Sequence, residues 1–280
     1  MDYLLGPLTS SGFHIRHVEW LAPEVACDVI LDTPPPPQAY AETLSRSTHM
    51  RVDAVLQPLR AREKKLLISD MDSTLIDQEC IDELADKVGL KAHVSAITER
   101  AMNGELDFKA ALTQRVALLK DLPERTLQDV FDHHITLMSG AKTLLATMKS
   151  RGASTHLVSG GFTFFTERVA RALGFDTHEA NILEVANGAL TGTVREPILD
   201  KDSKRESLLR YAAQHTLPLT ATLAVGDGAN DVPMLLSAGL GVAYHAKPAV
   251  EAEAAASIRF NDLTALLYLQ GIKRSEWICA

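Results

Sequence analysis

Short, fully apolar runs alternate with amphipathic stretches along most of this chain. Leu66-Leu67-Ile68 ends in Ser69-Asp70-Met71-Asp72, Thr155–Val158 ends in Ser159-Gly160-Gly161, and Thr222–Val225 ends in Gly226-Asp227-Gly228. Runs this short and this apolar predict strands buried on both faces of a parallel sheet, with polar residues following at its C-terminal edge. Gly241–Tyr244 and Ser257–Phe260 predict two later strands, while Phe164–Leu173 and Lys204–Gln214 carry helical spacing. Strands alternating with helices predict a doubly wound α/β fold.

Two stretches interrupt the alternation. The chain between Asp70 and the strand near Ser154 is far longer than the dozen or so residues a crossover needs. Its segment 77–135 has helical periodicity and weak strand signals, which predicts an inserted helical cap. Ile182–Val194 carries Asn187-Gly188 between apolar stretches, the pattern of a tight-turned hairpin.

Residues 1–62 follow a different plan. Phe13–Trp20 and Ala26–Leu31 predict strands, 38–48 a helix, and Val52–Leu56 a third strand. Pro34–Pro37 excludes helix interior and central strand and predicts a stiff connection. This order predicts a small α+β unit resembling part of an ACT-like regulatory domain, without a specific motif. The expected division is therefore 1–62 and 63–280, the new pattern starting at Arg62-Glu63-Lys64-Lys65.

Composition narrows the partners. The 280 residues carry a formal net charge of -8, with 46% hydrophobic and 23% charged residues, an ordinary globular balance. An acidic chain without a basic stripe argues against nucleic acid and anionic membrane, so an anionic substrate needs locally placed cations. Cys27, Cys80 and Cys279 form no CxxC pair, which argues against a disulfide framework or structural zinc. The start of the chain has no basic region followed by an apolar core, and no apolar run approaches the ~20 residues of a membrane span. A reduced, cytoplasmic location is expected.

The strand ends carry the chemistry. In Asp70-Met71-Asp72-Ser73-Thr74, carboxylates at i and i+2 of an extended segment point to one side and can meet one ligand. In Gly226-Asp227-Gly228-Ala229-Asn230-Asp231, glycines permit close backbone approach and the acids can bind a hard cation. Ser159-Gly160-Gly161, read as ending a strand and opening a helix, offers a hydroxyl and N–H groups to a phosphate oxygen. Lys201 and Lys204 each offer a cation at a helix start. A carboxylate nucleophile, a cation and a hydrogen-bonding cradle together are what phosphoryl transfer requires. The histidines, His133-His134 included, show no metal spacing and are expected to be solvated or capping.

In this order, Asp70-Met71-Asp72-Ser73-Thr74, Ser159-Gly160-Gly161, Lys204 and Gly226–Asp231 resemble the four motifs of the haloacid dehalogenase superfamily of phosphatases. Glu79, Met102-Asn103-Gly104-Glu105-Leu106-Asp107-Phe108 and Arg115-Val116-Ala117-Leu118-Leu119 are similar to its phosphoserine phosphatase subgroup. The resemblance covers roughly 64–262. It implies a Rossmann-like parallel sheet core of the haloacid dehalogenase type with a helical cap, and hydrolysis of O-phospho-L-serine as the last step of serine biosynthesis. It implies that Asp70 is the nucleophile and that Asp72 protonates the leaving oxygen and then activates water. It places Mg²⁺ on the Asp70 carboxylate, the Asp72 backbone carbonyl and Asp227. Ser159, Gly160 and Lys204 would hold phosphate, the spacing to Gly226 choosing Lys204 over Lys201. Asn230 would support the phosphate and water region, and Asp231 would orient Lys204 or the metal shell. Glu79 and Arg115 would read the substrate amine and carboxylate, a pairing that suits a small zwitterion. Met102 and Phe108 would line the lid or form cap core. A phosphatase or phosphotransferase for phosphothreonine or homoserine phosphate is the alternative. A non-catalytic amino-acid sensor is argued against by the intact acids and lysine. A homodimer through the N-terminal unit is the oligomer expectation.

Overall fold

The computed structural model describes residues 2–10 and 14–279. The chain begins with α1 (Asp2–Ser10), an antiparallel hairpin of β1 (Ile15–Ala22) and β2 (Ala26–Leu31), and α2 (Pro37–His49). Phe13, where the first expected strand starts, lies outside the described residues. Leu5 and Leu8 of α1 bury against Ala39 of α2, with Ile15 and Val29 of the hairpin packed on them. The proline run leads into α2, whose first turn accepts Pro37 because no helical partner awaits that N–H.

Two expectations for this segment differ from the structure. The helix α1 went unread because Gly6-Pro7 signals a break, yet its leucines pack as one face. Val52–Leu56 forms no strand. Asp53 instead accepts the backbone N–H groups of Arg259 and Asn261 at 2.8 and 3.2 Å, so this segment caps the far end of the core rather than extending the hairpin.

The core follows. It comprises β3 (Leu66–Ser69), α3 (Cys80–Asp86), α4 (Lys91–Met102), α5 (Phe108–Ala117), α6 (Arg125–His134), α7 (Ala141–Ser150), β4 (Ser154–Phe162) and α8 (Thr163–Leu173). Then come β5 (Thr177–Asn181), the hairpin β6 (Leu183–Ala186) and β7 (Ala189–Val194), α9 (Lys201–Gln214), β8 (Thr222–Gly226) and α10 (Val232–Ser237). The chain closes with β9 (Leu240–Tyr244), α11 (Pro248–Glu253), β10 (Ala256–Ile258) and α12 (Ala265–Leu269).

Six strands form one parallel sheet in the order β10-β9-β8-β3-β4-β5. Leu66, Leu67 and Ile68 are fully buried because helices cover both faces, which is why the central strand reads as unbroken apolar sequence. Ser69 of β3 stands level with Leu157 of β4 and Val225 of β8, so the three following polar segments emerge side by side. Five helices, α3–α7, occupy the chain between β3 and β4, and four of them, α3–α6, fall within 77–135. In the hairpin, Asn187 and Gly188 both adopt left-handed backbone at φ 51° and 75°, as a tight mirror-image turn requires.

Two strand ends depart from expectation. β10 stops at Ile258, because the N–H groups beyond it turn to Asp53. β4 runs through Ser159-Gly160-Gly161 to Phe162 before α8 begins. That triplet is therefore strand rather than a helix start, and its glycines are used for close approach instead of helix entry.

Candidate active site

Sheet register brings three acids together. Asp70 follows β3, and its backbone N–H donates to Val225 of β8 at 3.0 Å, which continues the ladder one residue beyond the strand. Its Oδ1 accepts the Met71 N–H at 2.7 Å, and its Oδ2 pairs with Lys204 Nζ at 2.6 Å. Lys204, on α9 and fully buried, also pairs with Asp231 Oδ1 at 2.7 Å. Asp231 Oδ2 accepts the N–H groups of Asp227 and Gly228 at 3.2 and 3.1 Å, which folds the turn after β8 back on itself. Thr74 Oγ1 donates to Asp227 Oδ1 at 2.9 Å. Oxygens of Asp70, Asp227 and Asp231 lie within 4.8 Å of one another.

Asp72 lines the same cavity as Asp70 and Asp227 but has other partners. Its Oδ1 accepts the Cys80 N–H at 2.9 Å, and the Ser159 hydroxyl donates to its Oδ2 at 3.4 Å. The glycines of β4 allow this: a Cβ on Gly161 would sit 2.6 Å from Asp72 Oδ2, and one on Gly160 would sit 2.7 Å from the Phe108 ring.

The cap supplies the opposite wall. Ser73, in left-handed backbone at φ 53°, donates from Oγ to Glu79 Oε1 at 2.7 Å. Arg115 on α5 is 5% exposed, and its Nη1 donates to Thr98 Oγ1 on α4 at 2.8 Å. Thr98 in turn donates to Asp82 Oδ1 on α3 at 2.8 Å. Where cap meets core, the Ala229 N–H donates to Met102 O at 3.0 Å, and Lys109 pairs with Asp200 at 2.9 Å.

Between the walls lies a cavity of about 60 Å³, several times the space one water needs. Ten expected residues line it: Asp70, Asp72, Glu79, Met102, Phe108, Arg115, Ser159, Gly160, Asp227 and Asn230. Lys204 and Asp231 lie behind Asp70 instead, and Lys201 is exposed. Gly161, of the expected Ser159-Gly160-Gly161 triplet, lines it too, while Ile81, Thr98, Ala101, Leu112 and Phe162 also line the cavity and were not singled out from sequence. Thr98 and Asp82 lack a local signal, since their bonds to Arg115 and to each other cross between helices.

Burial dominates the electrostatics. It pushes the Asp72 carboxyl up to about 6, against the Cys80 hydrogen bonds and with the help of the Asp70 charge. It pushes Asp231 up to about 7, and raises Asp227 well above the carboxylate range, with neighbouring acids adding to both. Glu79 is raised in the same way, by burial and then by Asp72 and Asp227. Burial alone would lower Lys204, yet Asp231 and Asp70 overcome it and raise it. Burial lowers Arg115, opposed by Glu79, Asp82 and Asp72.

One ammonium does not offset three converging carboxylates, and every donor in the set is an oxygen. That donor set fits a hard divalent cation better than zinc or copper. Among the described residues, the set comprises Asp70, Asp227 and Asp231 and does not include the Asp72 carboxylate.

Comparison with known proteins agrees with this geometry. Residues 67–236 match the model of the haloacid dehalogenase-like hydrolase family. The chain is 48% identical over 217 residues to a phosphoserine phosphatase of Albidiferax ferrireducens, covering 76% of this chain and 92% of that one. It is 40% identical over 274 residues to a phosphoserine phosphatase of Streptomyces coelicolor, covering 96% of this chain and 66% of that relative's length. Among solved structures, it matches a phosphoserine phosphatase captured as an analogue of the phospho-aspartyl intermediate. That match has a TM-score of 0.71 and 40% identity, and covers 74% of this chain and 98% of that one.

Proposed function

This chain belongs to the haloacid dehalogenase-like hydrolase family, and from that premise we infer that it hydrolyses O-phospho-L-serine to L-serine and phosphate. The observation that carries the reading is one small cavity with a strand-end carboxylate on one wall and half-buried Glu79 with buried Arg115 on the other.

The chemistry divides among the chain's own residues. The Asp70 carboxylate attacks phosphorus and forms an aspartyl-phosphate, while the bond from phosphorus to the seryl oxygen breaks. Asp72 gives its proton to that oxygen, and burial keeps enough of the carboxyl protonated near neutrality for the task. Ionised Asp72 then takes a proton from the water that cleaves the acyl phosphate, which restores both acids. Ser159, the Gly160 backbone and Asn230 hold phosphate oxygens, and Lys204 neutralises charge from behind Asp70. Asp231 fixes Lys204. Mg²⁺ on Asp70, Asp227 and the Asp72 carbonyl would supply charge neutralisation between nucleophile and phosphate dianion. Glu79 takes the substrate ammonium and Arg115 its carboxylate, with Met102 and Phe108 closing over the pocket.

Residues 1–62 are proposed as a separate unit and 63–280 as the catalytic core with its cap inserted at about 77–135. A cytoplasmic location and a homodimer through the N-terminal unit belong to the same reading. Among the described residues, no helix is long and apolar enough to cross a membrane.

The test is phosphate release from phosphoserine, phosphothreonine, homoserine phosphate, sugar phosphates and nucleotides, with and without a magnesium chelator. Phosphoserine is expected to rank first, with activity lost on chelation and restored by Mg²⁺. A poor rank for phosphoserine, or full activity in chelator, contradicts the reading.

A further inference from the structure

The Ser159-Gly160-Gly161 segment is a bulge in the sheet, and one side chain staples it. β4 and β5 pair regularly up to Val158 opposite Glu179, then resume only at Phe162 opposite Asn181. Three residues of β4 thus stand against Ala180 alone. Bulges of this kind re-aim side chains beside active sites and leave backbone groups without ladder partners. Asn181, 2% exposed at the end of β5, supplies what the ladder omits. Its Nδ2 donates to Gly160 O at 2.9 Å and to Leu199 O at 3.2 Å, and its Oδ1 accepts the Leu199 N–H at 2.7 Å.

We propose that Asn181 is a positioning residue for phosphoryl transfer, aiming the Ser159 hydroxyl at Asp72 through the Gly160–Gly161 peptide and anchoring the start of the Lys204 helix through Leu199. The proposal rests on reading the cavity as a phosphatase site.

The first branch follows from peptide geometry. In a trans peptide the C=O and the next N–H point in opposite directions. Drawing Gly160 O towards Asn181 therefore turns the Gly161 N–H the other way, where it donates to Ser159 Oγ at 2.9 Å. With that lone pair occupied, the Ser159 proton is directed into the cavity, where Asp72 Oδ2 accepts it at 3.4 Å and a bound phosphate oxygen would take over as acceptor. The second branch runs through the backbone. Leu199 precedes Asp200, whose side chain caps α9 by accepting from the N–H groups of Asp202 and Ser203, both at 3.1 Å. Asp200 O then accepts the Lys204 N–H at 3.0 Å. One buried amide thereby ties together the two segments that present Ser159 and Lys204.

Asn181→Asp keeps an acceptor for Leu199 N–H but sets oxygen against Gly160 O, and Asn181→Ala deletes the staple. Both variants are assayed beside the parent, per folded molecule measured by circular dichroism. The expected result is a kcat on phosphoserine lower by about 10–100-fold, the scale of a small misplacement. KM should stay within about threefold, because Glu79 and Arg115 are untouched. The Gly161 amide cross-peak in a ¹⁵N–¹H spectrum should move while most others stay. A folded variant with parental kcat, an unmoved Gly161 peak, or a loss confined to KM overturns the proposal. So does failure of both variants to fold, which would make Asn181 a stability residue. If the parent itself ignores phosphoserine, the functional reading fails instead, and the Gly161 peak still reports on the staple.

Discussion

The two walls of the cavity are built by different means. On the sheet side, each acid lies within two residues of a strand end or in the turn after it, and parallel register sets their spacing. On the cap side, Glu79 is held by Ser73 of the loop after β3, and Arg115 depends on contacts between helices, through Thr98 to Asp82. On the proposed reading, the sheet wall holds the groups that break a phosphate bond of any ester, and the cap wall holds the groups that read what the phosphate is attached to. Catalysis and selectivity should separate under mutation.

Breaking the sheet wall should give the largest effect. Asp70→Asn replaces the attacking carboxylate with a neutral amide and is expected to cut turnover by on the order of 10⁴-fold or more. The loss should be equal on phosphoserine and on an aryl phosphate, with the circular dichroism spectrum unchanged. Arg115→Ala breaks the cap wall alone. It should cost about 1.5–3 kcal/mol in kcat/KM on phosphoserine, the range for hydrogen bonds to charged groups, and leave an aryl phosphate nearly unaffected. Equal loss on both substrates would dissolve the distinction between the walls. Thr98→Val removes the hydroxyl between Arg115 and Asp82 and should cost about 1 kcal/mol, read as roughly fivefold in KM for phosphoserine.

The smallest effect concerns stability beneath the sheet wall. His156 on β4 is 2% exposed, stacked on Tyr211 at 3.6 Å, and its Nε2 has no hydrogen-bond partner among the described residues. Burial, with His215 adding, pushes its ring down from 6.5 to about 4. Between these values the unfolded chain binds a proton that the native ring does not, so stability falls as pH drops through that window and is fully present above it. Thermal melts from pH 7 to 4 should show a shallower decline for His156→Gln than for the parent, and identical slopes would contradict this assignment.

The same contrast explains what was legible in the sequence. The strands around Asp70, Ser159 and Asp227 were readable because apolar runs and the polar residues after them are contiguous. The hairpin at Asn187-Gly188 was readable because its turn demands φ > 0 at both positions. Thr98, Asp82 and Asn181 were not, since each acts through partners distant in sequence. Val52–Leu56 was misread as a strand because alternation says a segment is extended, without saying whether an edge is free to pair with it. The β4 bulge was misread as a helix start because glycines suit both.

The most direct test of the account is acid quenching of a single turnover with ³²P-labelled phosphoserine, followed by peptide mapping. The account predicts phosphoryl label on the peptide carrying Asp70, sensitive to hydroxylamine as an acyl phosphate is, and absent from Asp70→Asn. Label on Asp72 or Ser159, or turnover with no labelled protein at any quench time, would contradict it.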